Sequence, residues 1–306
     1  MDYSKKSVLA IIVTYNRLKL LKECINAISK STCPTDILVV NNNSSDGTKE
    51  FLLSLPSTYT DIKFYIYNLD ENLNGAGGFN YGLKNALKLD YDFFWIMDDD
   101  CIVRNDSLAE LIDAHHKFNG QYGFLSSKVL WTDGSICKTN VQRKSVARKI
   151  NDFNSPYVNV DYASFVSLFV KKSDVEKVGL PIKDFIIWTD DLEWTRRLTL
   201  KSIGGTALPG YLCNKSIVTH KCKNNFGVTI LKDTSDRIER YKYIYRNDVY
   251  CFKREGIRGL LYLFIRNVYH IIKVLLFSKD NKLKKIKVII NGYISGFSFN
   301  PIVEYR

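Results

Sequence analysis

Proline and glycine are scarce in this 306-residue chain, at 6 and 17 residues, and only 2 Met and 4 His are present. That scarcity excludes collagen-like, linker-like and low-complexity proteins. No internal repeat is visible. The seven cysteines, Cys24, Cys33, Cys101, Cys137, Cys213, Cys222 and Cys251, are odd in number and scattered, with no CxxC pair and no metal-ligand spacing. They read as reduced cytosolic thiols rather than a disulfide framework. The opening MDYSKKSVLAIIVTYN has too short an apolar run for a signal-peptide core, so secretion is not expected. The most apolar later stretch, Ile257 to Phe277, is interrupted by Arg258, Arg266, His270 and Lys273. It falls short of roughly 18 uninterrupted apolar residues and reads as amphipathic rather than spanning.

What is present is ordinary globular material, 45% hydrophobic and 25% charged, enough for one large domain with an appendage or two modest ones. The charge is unevenly placed. Residues 221–306 hold 18 Lys and Arg against 7 Asp and Glu, so +11 of the net +12 lies in the last 86 residues. A near-neutral body with a basic end is expected to meet something anionic, a phospholipid surface or nucleic acid. No aromatic RNA-binding signature, helix-turn-helix signal or zinc finger supports nucleic acid, and no nucleic-acid partner is expected.

Periodicity organises the first hundred residues. Val8 to Val13, Ile37 to Val40, Ile62 to Tyr67 and Phe93 to Met97 are apolar runs of strand length. Between them lie helical patterns over Leu18 to Ser29, from about Thr48, and through Leu83 and Leu87, with a further helix from about Ser107. Strands alternating with helices predict an α/β fold, a Rossmann-like, mainly parallel sheet flanked by helices. Ligands of such sheets bind outside the carboxyl ends of the strands. Here those ends carry Thr14-Tyr15-Asn16, Asn41-Asn42-Asn43, the glycine loop Asn72 to Gly78, and Asp98-Asp99-Asp100. Helices are expected over Thr234 to Glu255, Ile257 to Phe277 and Lys282 to Ile294.

Three constellations suggest chemistry. Three consecutive carboxylates after a buried strand repel unless a cation compensates, and oxygen donors suit Mg2+ or Mn2+. Side-chain alternation puts Asp98 and Asp100 on one side and turns Asp99 away; the plain alternative is a solvated loop or helix cap. Gly75-Ala76-Gly77-Gly78 lets backbone approach a phosphate, or makes a tight strand-to-helix turn. Trp188 to Trp194 places Asp190, Asp191 and Glu193 between aromatics, which suits a tunable general base beside a sugar-stacking surface; an acidic first turn of an amphipathic helix would look the same. His220, closing SIVTH, is an unremarkable histidine alone and a plausible ligand beside a carboxylate site.

In order, VTYNR, VVNNNSSDGT, NLNGAGGF, MDDD and WTDDLEW followed by LPG and His220 resemble the GT-A inverting glycosyltransferases of family two, over roughly Ser7 to Cys222. Within that family the segments NLNGAGGFNYGL, WTDDLEW and LPG look most like bacterial galactofuranosyltransferases, with rhamnosyltransferases close. The resemblance implies a nucleotide-sugar-binding catalytic domain over residues 1–225, and charge and periodicity mark 226–306 as a basic amphipathic helical region. It places Thr14, Tyr15, Asn16, Asn41 and Asn43 around the nucleotide, and Asn74, Gly75, Gly77 and Gly78 against the diphosphate and donor sugar. Asp98 and Asp99 would join the nucleotide side; Asp98, Asp100 and His220 would hold Mn2+ or Mg2+. Asp191 would be the general base, with Trp188, Asp190, Glu193 and Trp194 shaping the acceptor site. Two features depart from the pattern: Asn41 stands where the family commonly has Asp, and DYASFVSLF where galactofuranosyltransferases have a Trp-rich segment.

The implied function is metal-dependent, inverting transfer of galactofuranose from UDP-galactofuranose to a glycan acceptor, lipid-linked, in bacterial capsule or cell-wall polysaccharide synthesis. A rhamnosyltransferase using dTDP-rhamnose and a non-catalytic nucleotide-sugar-binding subunit are the competing readings. The basic end, interleaved with aromatic and aliphatic residues, suits an interfacial helix on an anionic membrane surface. A cytoplasmic protein held peripherally at the inner face of the membrane is expected, and homo-oligomerisation is compatible with it.

Overall fold

Val8–Thr14 is apolar up to its last residue and every residue of it is buried, the environment of a strand covered on both faces. In the computed structural model, which describes residues 7–200, 207–227, 229–233 and 237–305, this is the central strand β1. Strands β2 (Asp36–Asn41), β3 (Phe64–Asn68) and β4 (Phe93–Asp98) alternate with helices α1 (Leu18–Ile28), α2 (Thr48–Thr58) and α3 (Asn74–Ala86). There follow β5 (Cys101–Val103), α4 (Ser107–Lys117), β6 (Leu125–Leu130), β7 (Tyr157–Val160), β8 (Leu168–Lys171), α5 (Lys172–Val178), α6 (Asp190–Leu200) and β9 (Gly210–His220). The sheet runs β3-β2-β1-β4-β8-β6-β9-β5, with β7 on β9.

The expected parallel sheet is its β3-β2-β1-β4 half; beyond β4 the pairing is mixed, with β8 antiparallel to both neighbours and β6 parallel to β9. The chain builds outward from β1 to β3 and then returns to place β4 on the other side of β1. That reversal opens a crevice at the carboxyl ends of β1 and β4. Alternate residues of β1 feed two cores. Val8, Ala10 and Ile12 meet Leu21 and Ile25 of α1 and Leu108 of α4, while Leu9, Ile11 and Val13 meet Phe79, Leu83 and Ala86 of α3.

Three helices complete the chain, α7 (Tyr241–Lys253), α8 (Gly256–Phe277) and α9 (Lys282–Ser298). The helix expected from Thr234 begins at Tyr241, after a 3-10 turn over Ile238–Arg240; Thr234 to Asp236 lie outside the described residues. Helix α9 lies close on α7 because Gly292 and Gly296 face it: a Cβ on Gly292 would come within 2.8 Å of Lys242 O, and one on Gly296 within 2.5 Å of Val249 Cβ. Val249, Phe252 and Leu263 then pack with Ile182, Phe185 and Ala76 of the body.

Helix α8 differs from its sequence reading. By length and composition it is long and apolar enough to cross a membrane, with mean hydropathy 1.6 over its most apolar window. Two of the polar groups that interrupt the run turn inward onto α7: Arg266 Nη2 pairs with Asp248 Oδ2 at 2.5 Å, and His270 Nδ1 lies 3.0 Å from Tyr245 Oη. Ile257, Leu261, Phe264, Ile265, Ile272 and Leu276 are left exposed.

Candidate active site at the strand ends

The end of β4 carries the acidic triplet to the crevice. Asp99 accepts a 2.7 Å hydrogen bond from Thr14 Oγ1 at the end of β1, yet it is not turned away from Asp100 as alternation predicts, because one Arg17 nitrogen bonds both. Arg17, in the turn leading to α1, donates through Nη1 to Asp100 Oδ2 at 2.6 Å and to Asp99 Oδ1 at 3.3 Å. Arg17 sits in the VTYNR segment, yet the motif alone did not mark it as a site residue. Burial pushes Asp99 up to about 7 against the pull of Arg17. Burial and then Asp100 push Asp98 up to about 6, and the charge of Asp191 adds to that rise. Asp100 is the exception: His220 and Arg17 outweigh its burial and hold it below the usual carboxylate range.

His220 reaches this triplet through strand pairing. Antiparallel β5 and β9 set Cys101 opposite His220, and Lys221 N donates to Asp100 O at 2.9 Å. His220 Nε2 then stands 2.9 Å from the buried Asp100 Oδ1, which has no other polar partner. One donor atom each from Asp98, Asp100 and His220 falls within 4.8 Å of the others. Two carboxylates and an imidazole form a donor set that fits Mn2+ or Mg2+. Burial disfavours a charged His220 ring, but Asp100, Cys137 and Cys222 outweigh it and lift the ring to about 12, so a proton holds the place where a cation belongs. Behind the ring, Nδ1 lies 2.7 Å from Asn140 Oδ1, while Asn140 Nδ2 donates to Ser164 Oγ at 2.9 Å. Asn140 thereby takes the Nδ1 proton and leaves Nε2 for a ligand. It belongs to no motif; only the fold brings it to His220.

The second acidic segment follows a strained turn. Ile186, Trp188 and Thr189 have φ of 68°, 65° and 69°, in a region that L side chains, β-branched ones above all, adopt at a cost of about 1–3 kcal/mol each. One side chain holds the turn: Asn247 of α7 donates to the carbonyls of Phe185, Ile187 and Trp188 at 2.9, 3.2 and 3.0 Å. Next to it, Thr189 Oγ1 donates to Asp248 Oδ1 at 3.0 Å. Asp190 and Asp191 then open α6. Asp190 is buried, and burial together with Asp191 raises it well above its ordinary value. Asp191 is half-buried, its Oδ1 accepts from Leu192 N at 2.7 Å, and burial pushes it up to about 6.

Two residues expected to shape the acceptor site have other occupations. Glu193 is buried between two guanidinium groups, with Arg197 Nε at 2.8 Å and Arg254 Nη1 at 2.6 Å, so its carboxylate ties α6 to the residue that follows α7. Trp194 is fully buried, with Nε1 donating to Gly179 O at 2.8 Å, and offers no face to a sugar. The acids of the first turn share one helix, and the 3.6-residue period turns Glu193 and Trp194 inward. Trp188 is packed on the Tyr241 ring at 5.1 Å between centroids, against the apolar cluster formed with α7, α8 and α9.

On the nucleotide side, Tyr15 is half exposed and Asn16 has φ 52°, its Oδ1 accepting from Ser45 N at 2.8 Å. Asn41 is buried, donating to Asn68 Oδ1 at 2.8 Å, and Asn43 is exposed, donating to Asp70 O at 2.9 Å. Asn42, not singled out from sequence, joins this strand end to α3: it donates to Asn74 O and accepts from Leu73 N, at 2.8 and 2.9 Å. The glycine loop is a correction. Asn74 to Gly78 form the first turn of α3, not a loop. Gly77 and Gly78 are buried, where Cβ atoms would come within 2.8 Å of Leu73 Cβ and 2.5 Å of Val13 Cγ1, so Gly77 admits the turn before the helix and Gly78 lets the helix approach the sheet. Only Gly75 of the three faces open space, at a helix N-terminus where backbone N–H groups suit a phosphate.

Comparisons with known proteins agree with this geometry. A family model described as glycosyl transferase family 2 matches residues 9–172, more than half of the chain. The galactofuranosyltransferase GlfT1 of Mycolicibacterium smegmatis is 27% identical over 274 residues, covering 83% of this chain and 85% of that protein. The glycosyltransferase AglE of Haloferax volcanii is 27% identical over 206 residues, 63% of this chain and 61% of the relative. Among solved structures, the mannosyltransferase PcManGT of Pyrobaculum calidifontis, in complex with GDP-Man and Mn2+, superposes with TM-score 0.56 at 14% identity, over 98% of this chain and 78% of that one. TarS 1-349 of S. aureus superposes with TM-score 0.52 at 15% identity, over 96% and 72%. These likenesses establish the GT-A fold.

Proposed function

Because the chain belongs to glycosyl transferase family 2, we propose that it transfers galactofuranose from UDP-galactofuranose, with inversion, to a glycan acceptor of a bacterial cell-surface polysaccharide. The observation that carries this reading is the meeting of two acidic groups in one crevice: Asp98, Asp100 and His220 as a cation-binding cluster, and Asp191 close enough for its charge to raise Asp98. The relationship to galactofuranosyltransferases over most of the chain supports the choice of sugar.

The residues divide the chemistry between them. Tyr15, Asn16, Asn41 and Asn43 border the nucleotide, and the first turn of α3 presents N–H groups to the diphosphate. Asp98, Asp100 and His220 hold the divalent cation, which when bound neutralises the charge developing on the departing diphosphate. Asn140 keeps His220 in the tautomer that leaves Nε2 free. Asp191 accepts the proton of an acceptor hydroxyl; that oxygen bonds to the anomeric carbon as the carbon–oxygen bond to the diphosphate breaks, its electron pair leaving with UDP. One displacement from the opposite face inverts the centre.

Residues 1–225 act in this reading as the catalytic part, while 226–306 brace it and face an anionic membrane. The exposed apolar residues of α8 amid the +11 region support peripheral attachment at the cytoplasmic face and a lipid-linked acceptor. The deciding experiment incubates purified protein and Mn2+ with UDP- and dTDP-sugars and follows donor hydrolysis. Preferential turnover of UDP-galactofuranose is expected. Preference for dTDP-rhamnose would replace the sugar and keep the roles of the acids; donor binding without turnover would reduce the chain to a nucleotide-sugar-binding subunit.

A further inference from the structure

On the side of His220 away from Asp98 and Asp100 stand two thiols that glycosyl transfer does not use. The sequence gives Cys137 and Cys222 no ligand spacing; the sheet brings them together. Cys137 N bonds to Val129 O at 2.9 Å in the hairpin after β6, Cys222 lies two residues past the end of β9, and Trp131 Nε1 fixes Cys222 O at 3.0 Å. Cys137 Sγ is 3.8 Å from His220 Nδ1 and 3.9 Å from Cys222 Sγ, and all three ligand atoms lie within 4.8 Å of one another. Cys137 is buried and Cys222 partly exposed, which leaves an entry path.

These separations match a metal's coordination edges. Zinc bonds of about 2.3 Å to sulfur and 2.0–2.1 Å to nitrogen, at tetrahedral angles, set two sulfurs about 3.8 Å apart and sulfur about 3.6 Å from nitrogen. A disulfide would need the sulfurs to close to about 2.05 Å. We propose that Cys137, Cys222 and His220 Nδ1 form a second metal site, selective for a thiophilic cation such as Zn2+, which shares His220 with the carboxylate site and excludes the catalytic cation from it. Two thiolates and an imidazole favour Zn2+ over Mn2+ or Mg2+. Asn140 Oδ1, 2.7 Å from Nδ1 and 3.1 Å from Cys137 Sγ, stands where a fourth ligand belongs once it gives up the Nδ1 proton.

Binding releases to solvent the two thiol protons and the proton on His220 Nδ1, so the ring keeps only its Nε2 proton. That N–H stays against Asp100 Oδ1 at 2.9 Å, and the ring offers no lone pair to the carboxylate site while Nδ1 holds the thiophilic cation. A thiophilic cation therefore switches the donor site off by taking Nδ1 and leaving the proton on Nε2.

Co2+ is the probe for the thiols, added to the reduced full-length protein in the presence of a phosphine reductant. A thiolate-to-cobalt charge-transfer band is expected, displaced by Zn2+, with Zn2+ affinity lowered about a hundredfold or more in Cys222→Ser. Cobalt bound without that band, or a band undiminished in both Cys137→Ser and Cys222→Ser, overturns the site. The exclusion rests on the reading of His220 as a donor-site ligand and is tested separately: Zn2+ should weaken Mn2+ binding at least tenfold in the wild type and much less in Cys222→Ser, which keeps its Mn2+-dependent turnover. Equal Mn2+ affinity with and without Zn2+ overturns the sharing while the cobalt band stands on its own.

Discussion

Asp191 shows how burial tunes a single group, and His220 how its partners overrule burial. A general base works in its deprotonated form, and burial has pushed Asp191 up to about 6, so the rate of transfer should fall tenfold per unit below that pH and level off above it. The pH–rate profile at saturating Mn2+ reads this directly. Asp191→Asn should lower turnover by roughly a hundredfold to ten-thousandfold while donor binding, followed by calorimetry, survives; near-normal turnover would sink the assignment. Asn140 acts one residue further back. Asn140→Ala removes the acceptor that holds the Nδ1 proton, and Mn2+ affinity should drop about tenfold to a hundredfold. Asn140→Asp retains an acceptor oxygen and should recover most of it. An unchanged Mn2+ titration in Asn140→Ala would mean that Asp100 alone orients the ring.

At the scale of elements, the acids that open α6 depend on a helix far away in sequence. Asn247 satisfies three carbonyls of a turn that otherwise stores strain at Ile186, Trp188 and Thr189. Asn247→Ala should let the start of α6 relax and cost about a hundredfold in turnover, with the KM for donor little changed because the nucleotide side is built on β1, β2 and α3. Steady-state kinetics separates the two, and a rise in donor KM without loss of turnover would show that the turn serves binding instead. This dependence also marks what a linear reading can and cannot reach. The β1 to β4 half was legible because β1, β2 and β4 are buried apolar runs and the half-buried edge strand β3 is still apolar over a strand's length, and the acids at the end of β4 follow from topology. Glu193 and Trp194 misled because composition shows that acids and aromatics are adjacent, while helical period and the partners Arg197, Arg254 and Gly179 decide which way they face. Arg17, Asn140 and Asn247 were silent because a role made by pairing across 59 to 83 residues leaves no local pattern. Gly77 and Gly78 were visible as glycines but not as packing residues, since the Val13 and Leu73 they admit belong to the sheet and to the turn before the helix.

For the whole molecule, charge and apolar surface converge on one end. The body is near neutral, the last 86 residues carry +11, and α8 turns Arg266 and His270 toward α7 while showing Ile257, Leu261, Phe264, Ile265 and Leu276 outward. An apolar surface of this kind is expensive in water and stable where acyl chains meet headgroups, and the surrounding Lys and Arg add about 1 kcal/mol each near an anionic surface. The two contributions respond differently to solution conditions. Flotation with vesicles rich in phosphatidylglycerol should recover most of the protein at low salt. Raising salt should weaken that binding through the charges without abolishing it, because burial of α8 is not screened. Phe264→Ser with Ile265→Ser should do the reverse, leaving a salt-sensitive remnant. Both residues are exposed, so the catalytic body should fold and hydrolyse donor as before, whereas transfer to a lipid-linked acceptor in vesicles should fall with membrane binding. Full recovery of the double variant with vesicles at high salt would show that α8 is not the surface that meets the lipid.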